Sequence, residues 1–332
     1  MKEISRREFL RLMGIGIGAV SAPALLTACQ PGRGGSHAQS PVASPTTFQP
    51  QATSTGTSAS SGYPDLVVAH GEDPEKLVYQ SLKAFGGIER FLKPGADVII
   101  KPNISVPYYT YEYGATTNPW VVGALVKLCL ENGAKKVRVM DSPYGGTAED
   151  CYISSGIQEQ VEANGGVMEV MLPLKYQTYD IPGGKTLKSL IAYPDFFSTD
   201  LFINLPIAKQ HGLSSLSLGL KNLFGTIQKR ERMHAEIQTK LVDLGLLVKP
   251  HLTIIDATRT IMVNGPAGGN LDDVKVQNMM IVSTDIIAAD SYATKLFRKK
   301  PEHLPYLVEA AERGLGRIDY ENLNLKEITI DA

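Results

Sequence analysis

Short runs of β-branched and aliphatic residues recur along this chain between segments of helical periodicity, and that alternation restricts the fold more than any other feature. Strands that are apolar throughout must be covered on both faces, and helices placed between them supply the cover. The pattern therefore predicts an α/β fold with a largely parallel sheet and flanking helices. The spacing predicts strands over 65–69, 97–100, 136–140, 166–171, 200–204, 251–256 and 279–282. Helices are expected over 74–85, 119–132, 148–163, 234–247, 285–297 and 301–313. Two helix starts are chemically marked: Thr117-Asn118-Pro119 offers a cap and then proline in the first turn, and Ser283-Thr284-Asp285 caps the later helix.

The alternation begins only near residue 63, and what precedes it reads differently. Residues 1–28 have the form of a twin-arginine lipoprotein signal peptide: Ser5-Arg6-Arg7-Glu8-Phe9-Leu10-Arg11, then an apolar run ending in Leu26-Thr27-Ala28-Cys29. The run is short and interrupted by Gly14, Gly16, Gly18 and Pro23, which argues against a membrane span. Cleavage before Cys29 would make it the lipid attachment site, each buried methylene of its acyl chains contributing ~0.8 kcal/mol to anchoring. An uncleaved anchor helix is the alternative, and both place the body outside the cytoplasm. Residues 29–62, rich in Ser, Thr and Pro, are expected to be a disordered tether with a reach of roughly 30 Å. The α/β domain then occupies residues 63–332. The expected setting is the cell envelope, on the extracytoplasmic side of a membrane, with the export machinery and the membrane as partners.

A formal net charge of −1 gives no support to nucleic acid as a partner. Beyond Cys29 the only cysteines are Cys129 and Cys151, with no Cys-x-x-Cys spacing, so neither a disulfide framework nor an iron–sulfur cluster held by this chain is expected. Twin-arginine export moves folded chains, which leaves room for a cofactor loaded before export.

In α/β sheets ligands bind beyond the carboxyl ends of strands, so polar residues that follow apolar runs are the candidates. Lys101-Pro102-Asn103 offers a cation and an amide to an anionic ligand. Asp141, followed by Gly145-Gly146-Thr147, offers a carboxylate and an anion-cradling turn. The densest set runs from Asn204 through Lys209, His211, Lys221 and Asn222 to Arg230, Arg232 and His234. Lys209 and Lys221, buried near like charge, are each either an anion clamp or a neutral nucleophile. His211 and His234 suit acid–base work, or metal ligation if Asp141 or Asp256 completes the set for a divalent ion. Asp256 and Arg259 are expected at a strand exit, and Asp290, mid-helix among apolar residues, requires a partner.

Taken in order, Lys101-Pro-Asn103, Asn204-Leu-Pro…Lys209-x-His211, Leu-Lys221-Asn-Leu-Phe-Gly225, His234 and the Asp285…Asp290 helix resemble the domain-of-unknown-function family numbered 362 over roughly 65–297. The resemblance implies an α/β domain; some members append ferredoxin-like cysteine clusters, which this chain lacks. A fainter similarity is to the lactate racemase group, whose paired histidines act as acid and base and whose lysine holds a nickel-pincer nicotinic acid cofactor; His211 and Lys221 are similar to that arrangement.

These readings converge on an exported, lipid-anchored protein whose cationic His/Lys pocket takes a small anionic substrate or cofactor. Lys101, Lys209 and Lys221 are the expected anion contacts, with Arg232 beside them. Asn103 and Asn222 would orient the ligand. The expected chemistry is acid–base or metal-assisted; the alternatives are a non-catalytic solute- or metal-binding lipoprotein and a racemase-like enzyme.

Overall fold

A computed structural model describes residues 62–331. The expected signal peptide, Cys29 and nearly all of the tether lie outside the described residues. The chain runs β1 (Leu66–His70), α1 (Pro74–Ala84), β2 (Asp97–Pro102), α2 (Pro119–Glu131), β3 (Lys136–Val139), α3 (Ala148–Ser154), α4 (Ile157–Ala163) and β4 (Val167–Met168). It continues through β5 (Gln177–Asp180), β6 (Ser189–Ala192), α5 (Asp195–Ser198), β7 (Leu201–Leu205), β8 (Ile207–His211), β9 (Ser215–Ser217) and α6 (Gly219–Asn222). It closes with α7 (Ile237–Leu247), β10 (Leu252–Ile261), β11 (Val274–Ser283), α8 (Ile286–Ala293), α9 (Pro305–Glu312) and β12 (Leu325–Thr329).

The main sheet has the order β12-β1-β11-β10-β7-β2-β3-β4, with β8 and β9 attached beside β10. Only β11 and β9 pair antiparallel to their neighbours, so the sheet is mixed but mostly parallel, as the alternation predicts. Alternate residues go to opposite faces. Leu66, Val68, Ile99 and Phe202 join a core with α7, α8 and α9, while Val67, Ala69, Val98, Ile100 and Ile203 join one with α1, α2 and α4.

The winding fixes where a ligand can go. From β2 the chain proceeds outward through β3 to β4, then returns to place β7 on the other side of β2, all four strands parallel. The reversal opens a crevice outside the carboxyl ends of β2 and β7, the place where open α/β sheets take their ligands.

Several expected elements have different limits. The helix expected over 148–163 is two helices, because Gly156 adopts φ of 73° at their junction. The helix expected from His234 begins at Ile237, and residues Arg230–Met233 form a separate 3-10 turn. The last two expected helices keep α form only over Ile286–Ala293 and Pro305–Glu312, with 3-10 turns making up the remainder. The strand expected over 166–171 is the two-residue β4, and β10 and β11 extend well past their expected ends as an antiparallel ribbon. Asp256 is therefore inside β10, not at its exit. The two marked helix starts are as expected: Asn118 accepts from the Trp120 amide at 3.0 Å, and Asp285 from the Ile287 and Ala288 amides at 2.8 and 3.0 Å.

Candidate functional site

Outside the carboxyl ends of β2, β3 and β7 lies a cleft of about 570 Å³, within the size range of small-molecule sites. Its lining includes Asn103, Asp141, Lys209, His211, Lys221, Asn222, Arg230 and His234, so most of the expected residues are brought together. Strand alternation explains part of the convergence. Lys101 of β2 and Asn204 of β7 are register partners on the face that carries α6, and Lys209 and His211 share the face of β8 opposite the core residue Ala208.

The three lysines differ in what their amines already hold. Lys101, 0% exposed, donates to Asp141 Oδ1 at 2.7 Å, Pro102 O at 3.1 Å and Asn222 Oδ1 at 3.2 Å. Lys209, 2% exposed, donates to Asn103 Oδ1 at 2.7 Å, Ser105 Oγ at 2.9 Å and Ala115 O at 2.7 Å. An ammonium has three donors, so neither has one left for a ligand. Their charges contribute to the field of the cleft, and their amines hold its frame. Lys221 differs. Its Nζ lies 3.6 Å from the centroid of the Phe224 ring and has no acceptor among the described residues.

Asn103 and Asn222 are likewise engaged with the lysines. Asn103 Nδ2 donates to Asn222 Oδ1 at 3.2 Å, and Asn222 Nδ2 donates to Asn204 Oδ1 at 2.9 Å. Orienting a ligand, the role expected of these amides, gives way to joining β2, β7 and α6. Asp141 is also fully occupied: its carboxylate meets Lys101 and accepts from the Ile104 and Ser142 amides at 2.7 and 2.9 Å. Gly225 passes so close that a Cβ there would overlap the Asp141 carboxylate and Lys101 Nζ.

Burial pushes the Lys221 amine down to about 7, helped by Arg230 and Lys101 nearby. Burial pushes Lys209 down to about 7 as well, helped by Lys221, but its three acceptors hold the ammonium form against that. Lys101 is lowered by burial despite Asp141. His211 is pushed down to about 3, first by burial and then by Lys221, Lys209 and His234. It is neutral at working pH. Its Nδ1 accepts from the Leu213 and Ser214 amides at 3.0 and 3.3 Å, which places the proton on Nε2. In this tautomer His211 offers a donor where a base was expected.

Arg230 was visible in the sequence cluster but had no role there. Its guanidinium donates to Ser142 O at 2.6 Å and Pro143 O at 2.7 Å, and its charge has no carboxylate partner among the described residues. Arg232, by contrast, is exposed and outside the cleft lining; His234 is exposed but remains at the rim.

The expected metal set does not assemble. Asp256, 0% exposed, is away from the cleft and accepts from the Asn118 amide at 2.7 Å and from Thr258 Oγ1 at 2.7 Å. Among the described residues no three His, Cys, Asp or Glu side chains gather as metal ligands, and the oxygens of Asp141 are taken. The Gly145-Gly146 turn leads into Thr147, which caps α3 through the Asp150 amide at 3.1 Å.

One residue that lines nothing still shapes the site. Asp290 of α8, 0% exposed, accepts from the Gly219 and Leu220 amides at 2.7 and 3.0 Å and so fixes the first turn of α6, which carries Lys221 and Asn222. This supplies the partner that its apolar setting requires. The contact needs Gly219, where a Cβ would stand 2.7 Å from Asp290 Oδ1.

Fold and site together define an α/β protein with a cleft at the winding reversal of its sheet, lined by lysine, arginine and histidine as well as Asp141 and Glu231. The chain belongs to the DUF362 family, a domain of unknown function, whose model matches residues 98–295. It is 27% identical over 250 residues to a thylakoid-associated protein of Synechocystis, covering 71% of this chain and 73% of that relative. Among solved structures it is similar to the lactate racemase apoprotein from Thermoanaerobacterium thermosaccharolyticum, at 10% identity and a TM-score of 0.43, covering 69% of this chain and 56% of that one. It is also similar to a protein from Thermotoga maritima, at 12% identity and a TM-score of 0.38, covering 69% of this chain and 60% of the other. The match thus spans less than two thirds of either solved chain.

Proposed function

We propose that the cleft binds a small anion, its negative charge received by Lys221, Arg230 and the Nε2 proton of His211 within the field of Lys209. One observation carries this reading. Three cations, Lys209, Lys221 and Arg230, line one cleft whose buried carboxylate, Asp141, is already paired with Lys101 and whose other carboxylate, Glu231, is solvent-exposed. Such an excess of positive charge in a partly desolvated cavity is stabilised by a ligand of opposite sign.

A bound anion favours the ammonium form of Lys221, so binding above pH 7 should draw in a proton and weaken as pH rises. Isothermal titration with inorganic phosphate, acetate and pyruvate at pH 6 and pH 9, in buffers of different ionisation enthalpy, tests this. The expected result is tighter binding of at least one of these anions at pH 6, with loss of roughly tenfold or more in Lys221→Met. Failure of all three to bind, or equal affinity in the variant, would reject the reading.

The same proposal places this activity outside the cytoplasm, with the body held to a membrane through acyl chains on Cys29. Support comes from the Arg6-Arg7 pair and the Leu26-Thr27-Ala28-Cys29 segment. The cleft geometry supports ligand capture directly and enzymatic chemistry only through the unengaged amine of Lys221.

A further inference from the structure

We infer that Lys221 forms an imine with the ketone of a 2-oxo acid bound in the cleft. The inference rests on the anion-binding reading and adds to it a substrate class and a covalent step. It is carried by the difference among the three amines. Lys101 and Lys209 each donate to three acceptors and cannot approach a carbonyl without breaking that frame. Lys221 lines the cleft, has no acceptor among the described residues, and lies against the apolar face of Phe224.

A lysine becomes nucleophilic when desolvation or a neighbouring cation populates its neutral form near neutrality. Burial lowers the amine and the like charge of Arg230 and Lys101 adds to it, outweighing the attraction of the Phe224 ring for the ammonium. The remaining groups suit the substrate. A carboxylate adjacent to the ketone can be received by Arg230, and the Nε2 proton of His211, held there by the two amides on Nδ1, can polarise the ketone oxygen. Anchored through its carboxylate, a 2-oxo acid presents the next carbon to an amine that lines the same cleft.

The step balances without a further reactant. The Nζ lone pair adds to the carbonyl carbon as the C=O π bond opens. The two amine hydrogens then leave with the oxygen as water, giving a C=N bond; protonation of that nitrogen from solvent restores the cation that Lys221 carried as an ammonium.

Borohydride trapping on the full-length protein tests this. Full-length protein is incubated with pyruvate, with 2-oxoglutarate, or with propionate, which has the carboxylate but no ketone. Borohydride is then added and the modified peptide identified by mass spectrometry. The expected result, with oxo acid saturating at every pH, is a reduced adduct on Lys221 with at least one oxo acid, none with propionate, and faster trapping as pH rises through 7. Lys221→Arg, which keeps the charge, should lose the adduct while retaining a folded circular-dichroism spectrum. Calorimetry on the same samples separates the two levels. An oxo acid that binds without being trapped overturns the imine and leaves the anion reading standing; a cleft that binds none of these anions removes both. An adduct of equal yield in Lys221→Arg, or one spread over surface lysines, also overturns the assignment.

Discussion

At the scale of single residues, the cleft carries a cost to stability that removal of one charge should relieve. The folded-state pKa of Lys221, near 7, is below its ordinary value of 10.5, so the native state binds fewer protons than the unfolded chain between those limits. Its penalty is full below pH 7, declines as pH rises from 7 to 10.5, and is gone above. Lys221→Met should therefore raise stability by about 2–4 kcal/mol at pH 6 and change it little near pH 10. Urea melts at the two pH values check this, and an equal effect at both would show that the charge is not the cause. Gly225→Ala should act in the opposite direction, since the new methyl must displace the buried Lys101–Asp141 pair. Separating such a pair costs about 3–5 kcal/mol, and the same melts should show a loss of that size.

At the scale of elements, α6 is only one turn long and depends on Asp290 to hold it. Asp290→Ala leaves two buried amides without an acceptor, at a cost of about 1–3 kcal/mol, and frees the turn that aims Lys221. Anion affinity should fall together with thermal stability. A destabilised variant with unchanged affinity would mean that α6 keeps its place without Asp290. The need for a partner was legible, because a carboxylate in apolar helical company has few alternatives; which partner was not, because Gly219 is 71 residues away. The same division holds for the sheet. Strands such as Val98–Ile100 and Phe202–Ile203 are buried on both faces and announce themselves by composition. β8 escaped notice because Pro206 precedes it and Lys209, Gln210 and His211 carry it, a polar sequence that is a strand only through its pairing with β9 and β10. The break at Gly156 was visible as a glycine but not as a helix end. In the cleft, the residue types were legible while their hydrogen-bond partners were not: nothing local shows that Lys209 has no donor left and Lys221 has all of its own.

At the scale of the whole molecule, the predictions concern where the body works. Replacing Arg6 and Arg7 by lysine preserves the charge but should leave the precursor in the cytoplasm, since the export receptor reads the pair as an address. Cell fractionation checks this, and normal export of the variant would remove the twin-arginine assignment. Cys29→Ala should abolish labelling by a radioactive fatty acid, whereas equal labelling would place any lipid elsewhere.

The lysine–amide frame joins segments far apart along the chain: Asn103 to Lys209 across 106 residues, Lys101 to Asn222 across 121, and Gly219 to Asp290 across 71. During synthesis, then, a ribosome that has released every cleft-lining residue through Pro266 has still not released Asp290, which holds the turn bearing Lys221. Nascent chains stopped short of that point have all the cations of the site but lack the contact that sets α6. Long-range closure of this kind is slow and comes late. Ligand competence should consequently arise as one abrupt event near the end of translation, and, for a chain exported as proposed above, any molecule the cleft acquires inside the cell must be taken up in the interval between that event and export.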